Sequence, residues 1–304
     1  MLRFGISPSS GITWAAVWSM VMVASAVGAE FVDVSYKPSA GTAGGQSLLI
    51  ESRLNLKSTT ALIIDQDSGA TIYEKNIGST AAIASITKLM TAMVVLDANL
   101  PPDEILAISS ADVDTIKHTG SRLTVGTRLS RESLLRLALM SSENRAAAAL
   151  GRNYPGGTPA FVAAMNRKAA EIGMANTRFV DPTGLDSRNV STAQDLVKMV
   201  DTAYRYPAIR EFTTTASHAV TTATGRRMEF HNSNRLVKSP SWNIGLSKTG
   251  YISEAGRCLV MQAKIAARSV VIVLLDSWGK YTRLGDANRI KKWLESRLTR
   301  PGIG

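Results

Sequence analysis

Residues 85–90 read SITKLM, inside the longer stretch STAAIASITKLMTAMVVLDA that spans residues 79–98. The apolar side chains Ile86, Leu89, Met90, Met93 and Val94 recur at helical spacing, which predicts a helix from Ile86 to about Ala98 with Ser85 at its mouth. A helix start presents free N–H groups and the positive end of the dipole, and Lys88 falls one turn later on the serine's face. A serine hydroxyl beside an amine is what an activated nucleophile needs. The spacing alone carries little. S-x-x-K also occurs at Ser277 and Lys280, and roughly one match per 300 residues follows from average composition. Ser277, however, closes an apolar run and leads into WGKYTR, where no helix would hold the pair together.

Two further stretches give the first one weight. MSSENRAA (140–147) places Ser142 and Asn144 as S-x-N at a junction between two helical segments, although Ser187/Asn189 and Ser241/Asn243 share that spacing. LSKTGY (246–251) holds Lys248, Thr249 and Gly250, a K-T-G that occurs once, against a chance expectation of roughly 0.1 per chain. It lies on a predicted strand, where a glycine lets another backbone come close.

The flanking patterns set these pieces in an architecture. ALIID, QDSG and ATIYEKN (61–76) read as an apolar run, a turn and an alternating run, which predicts a β-hairpin. The middle of the chain is helical: RESLLRLALMSS, ENRAAAALGRN, TPAFVAAMNRKAAEIGM and STAQDLVKMVDTAYRY, the last closing before Pro207. FTTTASHAVTTATGRRMEFHNSN then turns strand-like. Three consecutive strands follow in IGLSKTGY, RCLVMQAKIAA and SVVIVLLDS, and LGDANRIKKWLESRL ends the pattern as an amphipathic helix with Leu284, Ile290, Trp293 and Leu294 inward. Strands at both ends and helices between predict an α/β (α+β) domain over residues 58–300. Its mostly antiparallel sheet is built from both chain ends, with a helical lobe inserted at about 100–215.

Residues 1–29 stand apart. Arg3, the apolar ITWAAVWSMVMVASAV and the small residues before Glu30 read as a secretory signal peptide cleaved near Ala29, with Ala26 a second option. An uncleaved anchor is the competing reading, because Ile12–Ala29 approaches the ~18 residues a span needs. Residues 30–57, with KPSAGTAGGQS, read as a flexible segment, and the expected compartment is the periplasm. The net charge of +11 becomes +10 without Arg3, so the exported chain stays basic and suits an anionic partner. No basic run is interleaved with aromatics, which argues against nucleic acid. Cys258 is the only cysteine, so an internal disulfide and a Cys-rich zinc site are excluded; it reads as a small buried apolar residue. His118, His218 and His231 lack a G-x-S-x-G partner, and the acids Asp112 and Asp114 read as a solvated turn. No metal or cofactor is expected.

The set S-x-x-K, S-x-N and K-T-G in this order resembles the low-molecular-mass penicillin-binding proteins, the serine-type D-alanyl-D-alanine peptidases. SGATIYEKN, MNRKAAEIGMANTRFVDPTGLD and STAQDLVKM are similar to that group as well, so the likeness covers about residues 58–296. Glu143 within S-x-N, and an end soon after the last helix without an additional C-terminal domain, resemble the D-alanyl-D-alanine endopeptidases. The resemblance implies a penicillin-binding/β-lactamase-like transpeptidase fold and acyl transfer through a serine ester. It implies catalytic roles for Ser85, Lys88 and Ser142, with Asn144, Lys248, Thr249, Gly250 and Tyr251 binding substrate. Ser85 and Tyr251 would supply the oxyanion hole through their N–H groups. Lys88 is the implied base, its charged form disfavoured by burial and by the charge of Lys248, although the base is disputed in the wider family. Arg283 is a further carboxylate ligand or a solvated surface arginine. Peptidoglycan stems and cross-links are the implied partners, β-lactams the implied covalent inhibitors, and a monomer is expected.

Three alternatives stay open at this point. A D-alanyl-D-alanine carboxypeptidase would use the same motifs. A β-lactamase needs a deacylating glutamate in E-x-x-L-N, which FVDPTGLDS (179–187) does not supply. A non-catalytic β-lactam or peptidoglycan sensor would keep the fold without the turnover.

Overall fold

The computed structural model describes residues 54–222 and 225–298. The signal-peptide reading and most of the flexible-segment reading lie outside the described residues.

Five strands form one antiparallel sheet: β1 (Ser58–Asp65), β2 (Thr71–Lys75), β9 (Asn243–Ile252), β10 (Gly256–Ile265) and β11 (Arg268–Ser277), in the order β2-β1-β11-β10-β9. β1 joins β11 across more than two hundred residues, Ser58 opposite Ser277 and Asp65 opposite Val270. The sheet therefore unites the two ends of the chain, as the sequence predicts. Both faces are covered, which explains the near-continuous apolar runs of β10 and β11. Leu259, Met261, Val270, Ile272 and Leu274 face one cluster, while Val260, Val271, Val273 and Leu275 face another. The alternation is the period-2 pleat of a strand.

The first face packs under α7 (Thr282–Leu298) through Ala287, Ile290 and Leu294. Asp286 on α7 is fully buried and accepts from the N–H groups of Lys57 and Ser58 and from the Ser58 hydroxyl, at 2.7–3.0 Å. This clasp fixes where β1 starts.

The second face carries α1 (Lys88–Asp97), α2 (Arg131–Met140), α3 (Asn144–Arg152), α4 (Gly157–Glu171), α5 (Ala193–Tyr204) and α6 (Pro207–Thr214). Three short pairs accompany them: β3 (Ala81–Ala82) with β6 (Val190–Ser191), β4 (Ile105–Ala107) with β5 (Arg128–Ser130), and β7 (Ser217–Thr221) with β8 (Arg227–His231). The sequence reading misses α6. Pro207 reads as a stop after Tyr204, yet it occupies the first turn of a new helix, where its missing N–H costs nothing. Ile209 and Phe212 then anchor α6 in the core. No helix among the described residues is long and apolar enough to cross a membrane.

Candidate active site

The predicted helix at SITKLM is in fact two elements. A 3-10 turn, Ala84–Thr87, precedes α1, so Ser85 lies on a tight turn and Lys88 opens the α-helix. Ala84 has φ 47°, a left-handed conformation that costs a non-glycine residue roughly 1–3 kcal/mol. Two glycines hold it there. A Cβ on Gly184 would stand 2.0 Å from the Ala84 carbonyl oxygen. A Cβ on Gly250 would stand 2.9 Å from the Ile83 oxygen and 3.1 Å from Ser85 N. Edge strand β9 thus lies directly against the serine turn, the close approach expected of the glycine in K-T-G.

Lys88 is completely buried, yet each of its three possible donations has an acceptor. Its Nζ lies 2.9 Å from Ser85 Oγ, 2.7 Å from Asn144 Oδ1 and 2.7 Å from the Thr183 carbonyl oxygen. Burial pulls its pKa down from 10.5 to about 8, while the carboxylates of Asp181, Glu143 and Asp114 pull the other way. Lys248, also buried, donates to Ser142 Oγ at 2.8 Å and to its neighbour's carbonyl, Thr249 O, at 3.0 Å. Its pKa is held well below the ordinary value by burial first, then by the positive charges of Lys88 and Arg283. The like-charge pressure expected on Lys88 therefore falls on Lys248.

Ser142, in the S-x-N loop between α2 and α3, also has a left-handed backbone, at φ 63°. Glu143 caps α3, accepting from Arg145 N, and takes the Ser121 hydroxyl at 2.6 Å. Thr249 Oγ1 donates to Ser233 Oγ at 2.7 Å, and Ser233 N in turn donates to the carbonyl of Met140, two residues before Ser142. Tyr251 is over half exposed, at 55%, on the rim. Arg283 is not a solvated surface residue: its Nε and Nη1 atoms are buried with no hydrogen-bond partner. Burial and the nearby Arg257 lower its pKa.

The structure thus brings Ser85, Lys88, Ser142, Asn144, Lys248, Thr249 and Gly250 into one connected cluster and leaves Ser277/Lys280 outside it. It adds residues the sequence reading passed over. The Asp181 carboxylate takes the N–H groups of Thr183, Gly184 and Asp186, shaping the turn that aims the Thr183 carbonyl at Lys88. Asn189 bridges Val180 N, at 2.6 Å, to Thr87 Oγ1, at 3.1 Å, and locks that turn to the serine turn. D-P-T-G is a turn signature, so its bend was legible; the direction of one carbonyl was not.

The solvated-turn reading of Asp112 and Asp114 is corrected. Asp112 is buried against Arg152, with both carboxylate oxygens engaged at 2.9 Å. Asp114 collects Ile116, Lys117 and Thr119 and thereby presents Thr119 Oγ1 to Asn144 Nδ2 at 2.9 Å. Burial opposes ionisation of Asp114, but these hydrogen bonds outweigh it and bring the pKa to about 2. Among the described residues, no group of three or more His, Cys, Asp or Glu side chains is placed to hold a metal.

Residues 48–279 match the family model described as D-alanyl-D-alanine carboxypeptidase. The chain belongs to that family. It is 49% identical over 242 residues to a D-alanyl-D-alanine endopeptidase of Pseudomonas aeruginosa, covering 79% of this chain and 78% of that one. An Escherichia coli D-alanyl-D-alanine endopeptidase is 45% identical over 251 residues, 82% of this chain and 81% of the relative. Among solved structures, the DD-transpeptidase of a Streptomyces strain superposes with a TM-score of 0.73 at 29% identity, covering 79% of this chain and 97% of that one. The mixed helix and antiparallel-sheet fold is therefore the fold of the penicillin-binding DD-peptidases.

Proposed function

We propose that this family member is a periplasmic serine-type DD-peptidase that hydrolyses D-alanyl–diaminopimelyl cross-links of peptidoglycan. The observation that carries the reading is Lys88, a buried amine with a depressed pKa, 2.9 Å from Ser85 Oγ. A lysine at its reference pKa near ~10.4 would be almost wholly charged at neutral pH, whereas one near 8 is neutral in a useful fraction of molecules.

Ser85 Oγ attacks the D-alanyl carbonyl as its proton passes to Lys88. The oxyanion forms beside the N–H groups of Ser85 and Tyr251, the pair that Gly250 allows to converge. The C–N bond then breaks, Ser142 relays a proton to the departing amine, and water releases the acyl group. Each oxyanion donor of this kind contributes about 3 kcal/mol.

The substrate carboxylate lies alpha to the scissile amide and meets Thr249 and Lys248, with the buried Arg283 guanidinium adding positive charge nearby. Its negative charge offsets the repulsion that favours neutral Lys248, so substrate binding and Lys248 protonation reinforce each other. Asn144, held between Lys88 and Thr119, positions the peptide backbone.

Endopeptidase action is supported by the relatives from P. aeruginosa and E. coli, both named for it. Purified sacculi digested with the protein should lose cross-linked dimers on muropeptide separation, and Ser85→Ala should abolish the loss. Conversion of pentapeptides to tetrapeptides with dimers intact would make it a carboxypeptidase. Benzylpenicillin should acylate Ser85 and leave slowly, since FVDPTGLDS (179–187), which follows S-x-N, supplies no deacylating glutamate and Glu143 is taken up by Ser121 Oγ and Arg145 N. Rapid turnover of penicillin would overturn that expectation.

A further inference from the structure

Three aromatic side chains stand in solvent at one end of the sheet: Tyr251 at 55% exposure, Trp278 at 86% and Tyr281 at 53%. The strand register brings Tyr251 and the start of the segment that carries Trp278 and Tyr281 to the same end of the sheet. Arg257 on β10 is opposite both Tyr251 on β9 and Ser277 on β11, so Tyr251 and the residue preceding Trp278 lie two strands apart, about 10 Å. Arg257 stacks on the Tyr251 ring at 4.3 Å, Arg235 reaches the Tyr281 ring at 5.5 Å and Lys280 at 5.6 Å. The platform abuts the site from two directions. Tyr251 follows Gly250 on β9, and Arg235 lies two residues beyond Ser233, which accepts from Thr249.

Large aromatics left in water beside a cleft, with arginines over their faces, have the composition of a binding surface. We propose that this platform is a second binding site, which holds the glycan strand and stem carboxylates of the polymer while Ser85 acts on one cross-link. The inference rests on the peptidoglycan reading above. Flat, rigid rings suit the C–H faces of sugars, and the interleaved cations suit the carboxylates of the stems. Continuity with the Ser85 cleft decides between polymer and lipid. A membrane seated on Trp278 and Tyr281 would lie across the mouth that substrate must enter, whereas a polymer lying there continues into it.

The test separates polymer binding from chemistry. In the full-length chain carrying Ser85→Ala, adding Trp278→Ala and Tyr281→Ala should weaken co-sedimentation with purified sacculi about tenfold, the effect of ~1.4 kcal/mol. Trp278→Phe should retain most of the binding. With Ser85 intact, the Trp278→Ala/Tyr281→Ala chain should react with a fluorescent penicillin, and cleave a soluble cross-linked dimer, within twofold of the unsubstituted protein, with an unchanged melting temperature.

Sacculus binding that is absent in the Ser85→Ala chain, or unaffected by the aromatic substitutions, overturns the proposal. So does an equal loss on the soluble dimer, which would make the aromatics part of the cleft. Loss of binding to phosphatidylglycerol/phosphatidylethanolamine vesicles, with sacculus binding intact, would reassign the platform to lipid. If the unsubstituted chain cleaves no cross-link while the aromatic substitutions still abolish sacculus binding, the cleavage reading fails and the platform stands.

Discussion

Gly250→Ala tests whether the contact between β9 and the serine turn sets the geometry of acylation. Gly250 needs no special backbone angle, so the substitution acts through space alone. The added methyl would meet the Ile83 oxygen at 2.9 Å, the Ala84 Cβ at 3.1 Å and the Ser85 nitrogen at 3.1 Å. Two of these are backbone atoms that cannot rotate away, so the strand and the turn must part by about half an ångström, to ordinary van der Waals separation. Ser85 N and Tyr251 N, the proposed oxyanion donors, lie on opposite sides of that gap. Since such donors act at 2.7–3.1 Å and losing one costs ~10²–10³ in rate, a half-ångström spread should lower penicillin acylation by about 10- to 100-fold. Overpacking should also cost roughly 1–3 kcal/mol of stability. Stopped-flow acylation with a fluorescent penicillin, beside a thermal melt, measures both. An acylation rate within twofold of the parent, in a protein that still folds, would refute the oxyanion assignment.

The acylation rate constant should rise with pH through about 8 and level above it, as Lys88 loses its proton; a flat or falling profile from pH 7 to 9 removes Lys88 as the base. The same shift carries a stability sign. Between about pH 8 and 10.5 the unfolded chain holds a proton at this position that the folded chain lacks, so this buried lysine contributes about 3 kcal/mol more stability at the top of that window than at its foot, readable by urea titration. Cys258 is fully buried and its thiol is pushed up to about 11, so iodoacetamide at pH 8 should leave it unmodified until denaturant is added. Asp286→Ala strands the Lys57 and Ser58 N–H groups and should cost about 2–4 kcal/mol by chemical denaturation.

Apolar patterning marks the long elements and their order, because β10 and β11 are covered on two faces and most helices bury one face, α1 being buried all round. What escaped was local. Pro207 was ambiguous between ending one helix and starting the next, a choice decided by the burial of Ile209 and Phe212. The break into a 3-10 turn at Ala84–Thr87 is accommodated by Gly184, a hundred residues later, which lacks the Cβ that would strike the carbonyl of the left-handed alanine. The three motifs named the central side chains, since their chemistry is carried by residue type. Thr183 and Asn189 act through a carbonyl and an amide whose directions come from tertiary contacts, and no pattern along the chain records those. Asp112 looked solvated because its partner, Arg152, lies forty residues away.

The pairing of β1 with β11 also dictates an order of events. The first strand has only β2 beside it until residues 268–277 arrive, and Asp286 beyond them must follow before Ser58 is clasped. Contacts this distant in sequence form late and slow folding. A chain handed to an export channel N-terminus first would therefore stay unfinished until almost its whole length had crossed. If the chain is exported as proposed, its cleft would be completed only after residues 268–286 had crossed.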